Sequence, residues 1–140
     1  MSRPFTTRID DGIAEMILEH PPVNAFDSAG WMAIAAEIAA LGADDRVRVI
    51  LIGAEGRGFC AGVDIKELAA HPGRIVEVNR GNYETFRAIH RNPRPVILAL
   101  HGYVLGGGIG MAGAADILVA SECARFGVPE IDRGAMGGGA

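Results

Sequence analysis

The chain has 140 residues, of which 49% are hydrophobic and 21% are charged, and its formal net charge is −4 at pH 7. This length and composition fit one globular domain with a core of its own and exclude a largely disordered chain. Lysine and arginine are scattered and form no basic run with interleaved aromatics, so we expect a small molecule, not nucleic acid or an anionic membrane, as the partner.

The first 42 residues predict a β-hairpin followed by a helix. Residues 5–9 and 13–18 alternate in polarity and flank the turn sequence Asp10-Asp11-Gly12. Asp27 can cap a helix that begins at residue 27 or 28, and we expect Gly42 to end it. The apolar face of this helix repeats at helical spacing in Trp31, Ile34, Ala35, Ile38 and Leu41.

The rest of the chain predicts strands that alternate with helices. Nearly continuous apolar runs, typical of strands covered on both faces, span 47–52 and 96–100, and a third candidate strand spans 117–120. Between the first two strands we predict helices over 64–70 and 75–90. This alternation predicts an α/β layer structure.

Two glycine-rich loops follow predicted strands and indicate a site for a developing oxyanion. The first loop spans residues 56–67, and the second begins at Gly106-Gly107-Gly108, where a short helix starts. Glycine leaves backbone N–H groups unshielded, and a helix N-terminus adds partial positive charge in the same direction. If the two strands are neighbours, N–H groups from both loops converge on one oxygen, as acyl transfer and enolate chemistry require.

These motifs resemble the N-terminal half of the crotonase superfamily, the enoyl-CoA hydratases and isomerases. The matching segments are PVNA from Pro22, GRGFCAGVDIKEL from Gly56, RPVILALHGYVLGGGIGMAGAADILVAS from Arg94 and ARFGVPEIDRGAMGGG from Ala124. The resemblance implies a crotonase-like stack of ββα turns. It also implies that residues 1–140 are the N-terminal part of a longer catalytic domain, so that apolar surface is exposed without the C-terminal helical part.

The resemblance also implies which residues form the site. The two oxyanion N–H groups belong to Val63 and Gly107. The acyl-CoA contacts belong to Ala61, Val63, Asp64, Ile65, Lys66, Gly106 and Gly107. Ala61 is expected near the adenine, and Lys66 either offsets phosphate charge or is simply solvated.

Of the two glutamates of the hydratase pattern, this chain keeps one. Glu130 matches the second glutamate, whereas the first falls on Gly110. Hydration by the familiar route uses both carboxylates, whereas Glu130 alone can still shuttle one proton, as isomerases of this superfamily do. Asp132 shares a face with Glu130 if the segment is extended and is then an auxiliary base; the alternative is a surface ion pair between Asp132 and Arg133.

The function implied by the resemblance is that of an acyl-CoA-processing enzyme of lipid metabolism, which hydrates or isomerises an enoyl-CoA through a thioester enolate. One alternative is a hydrolase that opens a cyclic β-diketone acyl-CoA, a branch that shares the missing glutamate. Another is a non-catalytic acyl-CoA-binding or subunit-interface protein. A dinucleotide fingerprint at 108–113 is a weaker match, since the strand predicted at 117 leaves no room for a crossover helix.

We expect no cofactor, because coenzyme A is part of the substrate, and no metal, because the histidines show no ligand spacing. Two cysteines and an N-terminus without an apolar signal sequence predict a cytoplasmic location. The apolar stretch 103–120 is expected to form core, not a membrane span. Cys60 and His101 are expected to be packing residues. The resemblance further implies a homo-oligomer, either a trimer or a dimer of trimers.

Overall fold

A computed structural model describes residues 3–133 of the chain. Its longer strands are β1 (Phe5–Asp10), β2 (Ile13–Leu18), β4 (Val49–Ala54), β6 (Val96–Leu100) and β8 (Ile117–Ala120), and its short strands are β3 (Ala25–Phe26), β5 (Gly62–Val63), β7 (Tyr103–Leu105) and β9 (Arg125–Gly127). Its α-helices are α1 (Ser28–Ala43), α2 (Ile65–Ala70), α3 (Ile75–His90) and α4 (Gly107–Ala114), with 3₁₀ turns at Pro72–Arg74 and Ile131–Arg133.

The main sheet has five strands in the order β1-β2-β4-β6-β8. β1 and β2 form the predicted antiparallel hairpin, whose turn places Asp11 at φ 43° and Gly12 at φ 81°, as hairpin turns of this kind require. All later pairings in the sheet are parallel. The predicted strands 96–100 and 117–120 are confirmed, and the strand predicted at 47–52 begins two residues later, at Val49.

Each long parallel strand is followed by one of the short strands, which pair in two separate ribbons, β3 with β5 and β7 with β9. β2 leads to β3 and α1, β4 to β5 and α2, and β6 to β7 and α4. This repeated unit is the stack of ββα turns that the family resemblance implies. It brings the loops after β4 and β6 to one edge of the main sheet, because both strands run in the same direction.

Helix α1 has the cap and the buried face that were predicted, but Gly42 does not end it. The Asp27 carboxylate accepts from Gly30 N at 2.7 Å, and the helix continues past Gly42 to Ala43. A Cβ added at Gly42 would lie 2.6 Å from Asn92 Oδ1. Gly42 therefore allows α1 to approach the end of α3 closely, and Asn92 fixes this contact by donating to Ile38 O at 3.0 Å.

The core lies between the main sheet and the helices, and its largest fully buried side chains include Trp31, Phe26 and Phe59. β8 is different, because all four of its residues are exposed and Val119 is 58% exposed. Within residues 3–133, no helix is long and apolar enough to cross a membrane. The last seven residues, which include the end of the RGAMGGG motif, lie outside the described residues, as does the side chain of Arg133.

Candidate functional site

Asn24 holds the first glycine-rich loop in place. It is 3% exposed and has a positive φ of 52°. Its Nδ2 donates to the carbonyls of Glu55 (2.8 Å) and Gly58 (3.1 Å), and its Oδ1 accepts from His20 N at 2.7 Å. Its own carbonyl accepts from Ala61 N at 3.1 Å. The side chain therefore satisfies loop carbonyls that would otherwise be buried without partners.

Cys60 is a packing residue, as predicted. Burial raises the pKa of its thiol to about 12, although the hydrogen bond from Gly62 acts in the opposite direction. That bond runs from Gly62 N to Cys60 Sγ at 3.3 Å. A Cβ added at Gly108 would lie 3.0 Å from Cys60 Cβ. The neutral thiol thus packs between the two glycine-rich loops, and the loops converge around it. His101 is hydrogen-bonded as predicted, with Nε2 3.0 Å from Gly56 O.

The two loops meet at Gly62 and Gly107. Gly62 has φ 89°, and a Cβ on it would lie 3.3 Å from Leu105 O and 3.4 Å from Gly107 N. Val63, which directly follows Gly62, is half-buried and pairs with Phe26 in the β3–β5 ribbon. The backbones of the two loops therefore approach each other closely at this point. The role of Val63 N–H as an oxyanion donor remains a prediction.

The second loop turns into helix α4 at Gly106, which has φ 51° and ψ −115°. The N–H groups of Ile109 and Gly110 both donate to Gly106 O, at 2.9 and 3.3 Å. The N–H groups of Gly107 and Gly108 donate to no backbone acceptor within the described part of the chain. They are the first two amides of an α-helix, where orphan donors and partial positive charge coincide. An oxygen that gains negative charge is stabilised at such a position.

Gly107 packs against Trp31 and Asn82. A Cβ on Gly107 would lie 2.7 Å from the Trp31 ring and 2.6 Å from Asn82 Oδ1. Asn82 is 4% exposed, and its Nδ2 donates to Val78 O at 3.0 Å. Sequence reasoning identified Trp31 as core and missed Asn82. Nothing local in helix α3 distinguishes Asn82 until the fold brings it to the second loop.

Glu130 reaches the same place from the turn after β9. A Cβ added to Gly106 would contact Glu130 Oε1 and would lie 3.2 Å from the carboxyl carbon of Glu130. Its Oε2 is buried and has no hydrogen-bond partner among residues 3–133. Buried polar atoms are normally paired, so an unpaired carboxylate oxygen next to the second loop marks a candidate site for chemistry. The structure therefore brings Glu130 to Gly106, the residue before Gly107.

The geometry proposed for Asp132 is wrong. Residues 131–133 form a 3₁₀ turn and are not extended, so Asp132 does not share a strand face with Glu130, and its side chain is exposed. Ile65 and Lys66 are also exposed. Asp64 caps α2 by accepting from Lys66 N at 2.9 Å. These three residues from 64 to 66 form the outer edge of the first loop.

Glu67 fixes α2, and with it the first loop, to the start of α1. Its carboxylate accepts from Ser28 N (2.8 Å), Ser28 Oγ (2.9 Å) and Arg74 (2.8 Å). Burial acts to raise the pKa of Glu67, but the hydrogen bonds from Arg74 and Ser28 outweigh burial and lower this pKa below its ordinary value. Sequence reasoning missed this contact because its partners are 39 residues apart.

Position 110, where the hydratase pattern has its first glutamate, has no space for a side chain while the Phe86 ring keeps its position. A Cβ on Gly110 would contact Cζ of Phe86 and lie 2.6 Å from its Cε2. Glu130 is therefore the carboxylate that the described residues bring to the second loop. Two clefts lie elsewhere: one of ≈500 Å³ near β1 includes Glu37 and Arg46, and one of ≈360 Å³ lies between α1 and α3. Residues 3–133 contain no cluster of three residues that could hold a metal ion.

Residues 108–113, considered above as a dinucleotide fingerprint, lie in helix α4 after its first residue. β8 begins three residues after α4 ends. The glycines thus do not form the strand-to-helix turn that a dinucleotide site needs, and no separate crossover helix follows them. The dinucleotide alternative is therefore wrong.

Comparisons with known proteins agree on one family. A family model described as enoyl-CoA hydratase/isomerase matches residues 8–140. A "(7aS)-7a-methyl-1,5-dioxo-2,3,5,6,7,7a-hexahydro-1H-indene-carboxyl-CoA hydrolase" of Mycobacterium tuberculosis is 45% identical over 96% of this chain and 56% of its own length. A protein of the same name from Rhodococcus jostii is 46% identical, over 94% and 52%. A probable enoyl-CoA hydratase of Bacillus subtilis is 36% identical, over 93% and 51%.

Solved structures show the same fold. The Pseudomonas aeruginosa protein DspI superposes with a TM-score of 0.91 at 28% identity, over 99% of this chain and 53% of that one. An enoyl-CoA hydratase/isomerase from Legionella pneumophila, described as putative, superposes with a TM-score of 0.89 at 27% identity, over 96% and 54%. The chain thus spans about half the length of the curated relatives that it matches.

Proposed function

Because the chain belongs to the enoyl-CoA hydratase/isomerase family, we propose that it acts on an acyl-CoA and holds the thioester oxygen between the N–H groups of Val63 and Gly107. One observation carries this proposal: Gly62 of the first loop packs so close to the second loop that an added Cβ would lie 3.4 Å from Gly107 N, and the Glu130 carboxylate reaches the adjacent Gly106. Two donors and one carboxylate at one place suit chemistry that passes through a thioester enolate.

Within that class we propose hydrolysis of a carbon–carbon bond in a cyclic β-diketone acyl-CoA. The relatives at 45% and 46% identity are named as hydrolases of an indene-carboxyl-CoA with two oxo groups. Gly110 supports the same choice, because Phe86 fills the space in which a second carboxylate would lie. A reaction that needs one carboxylate and an oxyanion site fits these residues better than one that needs two carboxylates.

In this reaction, the oxygen of a water molecule bonds to a ring ketone carbon while Glu130 accepts the proton. The bond from that carbon to the neighbouring ring carbon, which carries the thioester group, then breaks. Its electron pair is delocalised onto the thioester oxygen, where the N–H groups of Val63 and Gly107 stabilise the charge. Glu130 returns the proton to the carbon. The water is consumed, the ketone carbon becomes a carboxylic acid, and the ring is open.

A second candidate is double-bond isomerisation of an enoyl-CoA, with hydration as its less favoured variant. The relative named as a probable enoyl-CoA hydratase is 36% identical. Isomerisation moves one proton between two carbons, so Glu130 alone suffices. Hydration that is positioned by two carboxylates does not fit the side chain packing at Gly110.

We also propose that coenzyme A enters only as part of the substrate, with no separate cofactor. Further proposals are that the protein works in the cytoplasm and that it is a homo-oligomer, a trimer or a dimer of trimers. The use of only two cysteines supports the location. The exposed apolar residues of β8 are compatible with burial against further protein.

The substitution Glu130→Gln tests the proposal, with Asp132→Asn as the matched control. Both changes remove one carboxylate from the same turn, but only Glu130 contacts the second loop. We expect Glu130→Gln to lower kcat for the ring-opening substrate by about 10²- to 10⁴-fold and to leave acetoacetyl-CoA binding intact, and we expect Asp132→Asn to change neither.

The substrate panel contains a cyclic β-diketone acyl-CoA and an enoyl-CoA whose double bond can shift. Isomerisation without ring opening would favour the second candidate. Binding of acetoacetyl-CoA without turnover of either substrate would favour a non-catalytic acyl-CoA-binding protein. Full activity of Glu130→Gln would refute the role of this carboxylate.

A further inference from the structure

Phe86 and residue 110 compete for one space. At Gly110, a Cβ would contact Cζ of the ring and lie 2.6 and 2.7 Å from Cε2 and Cε1. Protein interiors are packed closely enough that one added carbon is felt. A glutamate needs this volume and more, so a side chain at 110 requires the Phe86 ring to leave.

The Phe86 ring is half-buried and packs against the aromatic side chains of the core. Trp31 packs edge-on against it, with ring centroids 6.4 Å apart and planes at 77°. Phe26 packs edge-on against Trp31 at 5.5 Å and 82°. Thr85, the residue before Phe86, donates through Oγ1 to Trp31 O at 3.1 Å and so joins α3 to α1. Moving the ring therefore disturbs an aromatic cluster that two helices hold together.

The same cluster sets the position of the oxyanion amide. Gly107 and Gly110 are three residues apart in α4 and so lie on one helix face. A Cβ on Gly107 would lie 2.7 Å from Trp31, just as one on Gly110 would meet Phe86. The first turn of α4 thus rests on two rings through two glycines. While Phe86 keeps its position, a side chain at 110 would push this turn away from the ring and displace Gly107 N.

We infer that Phe86 is a specificity-determining residue: its ring keeps position 110 free of a side chain and so keeps a second carboxylate out of the site. The inference rests on the proposed function, because it concerns which acyl-CoA reaction the site can perform. Glu130 then acts without a carboxylate partner from α4. The choice between one-carboxylate and two-carboxylate chemistry depends on an aromatic residue in a different helix.

A double-mutant cycle tests the inference. It compares Gly110→Glu in the parent protein with the same change in a Phe86→Ala background, by unfolding without ligand and by hydration of crotonyl-CoA. Gly113→Glu is the control, since Gly113 is in the same helix and has open space around its Cα. Gly110→Ala gives the same stability comparison with the smallest side chain, should the glutamate variants fail to fold.

We expect Gly110→Glu to reduce the folding equilibrium constant by about tenfold more in the parent than in the Phe86→Ala background, a difference of about 1.4 kcal/mol. Gly113→Glu should have the same effect in both. The double variant should hydrate crotonyl-CoA at least about tenfold faster than either single variant, since general acid–base catalysis contributes that much or more.

Three results would overturn the inference: equal costs of Gly110→Glu in both backgrounds, hydration by Gly110→Glu with Phe86 present, or relief of the packing conflict without a gain in hydration. Acetoacetyl-CoA binding by the parent protein, read as a thermal shift, tests the proposed function separately. If the parent protein does not bind acetoacetyl-CoA, the proposed function is refuted. If the variants bind it but give one of the three results above, only the role of Phe86 is refuted.

Discussion

Asn24→Ala should show how strongly the first glycine-rich loop depends on one side chain. The substitution removes three hydrogen bonds, to Glu55 O, Gly58 O and His20 N, from a residue that is 3% exposed. Each such bond contributes about 1 kcal/mol net to stability. The φ of 52° adds about 1 to 2 kcal/mol of strain for alanine. We therefore expect a loss of about 4 to 5 kcal/mol in the free energy of unfolding.

Two further variants separate these contributions. Asn24→Gly loses the same hydrogen bonds without the φ strain, so it should be about 1 to 2 kcal/mol more stable than Asn24→Ala. Asn24→Asp keeps the acceptor for His20 N but loses both donors. Urea unfolding gives the free energies of unfolding, and the thermal shift on adding acetoacetyl-CoA shows whether the loop still binds this ligand. A loss below about 1 kcal/mol in Asn24→Ala, with an unchanged shift, would refute the view that this side chain holds the loop.

Two other predictions concern the same loop. Glu67→Gln should lower the free energy of unfolding by about 1 to 2 kcal/mol at pH 7. Because folding lowers the Glu67 pKa from its ordinary 4.5, this stabilisation is present above pH 4.5 and is lost as the pH falls through the lowered pKa. A difference in unfolding free energy between the two proteins that stays constant into acid would contradict this prediction. Gly62→Ala should abolish the thermal shift on adding acetoacetyl-CoA. The control is Gly56→Ala, which should carry similar strain because Gly56 has φ 93°, but should keep the shift because the space around Gly56 is open. Equal shifts in both variants would mean that the close approach of Gly62 to Gly107 is unimportant.

The sequence predicted those elements that depend on residues close together in the chain. The hairpin turn, the Asp27 cap and the helix at 75–90 depend on residues within a few positions of one another, and all three are confirmed. The two-residue strands β3 and β5 were missed because two residues carry no periodicity. They form only when the loops after β2 and β4 lie side by side.

Contacts between distant segments account for the errors. Gly42 resembled a helix stop, yet Asn92, 50 residues later, is the reason that it is glycine. The loops and Glu130 could be placed from their motifs, whereas Asn82 and Phe86 lie on a helix whose sequence gives no sign of the second loop. A substitution at Gly107 would not test the oxyanion amide alone, since any Cβ there meets Trp31 and Asn82.

Helix α4 has a sequence that would not form a helix alone. Four of its eight residues are glycine, and each costs about 1 kcal/mol in a helix relative to alanine. Packing on Trp31 and Phe86 must offset this cost, and those rings belong to α1 and α3. The turn that presents Gly107 N can thus become ordered only after α1 and α3 have docked on the sheet. In refolding, amide protection in α4 should follow protection in α1 and α3, so an intermediate with a formed sheet would still have no site.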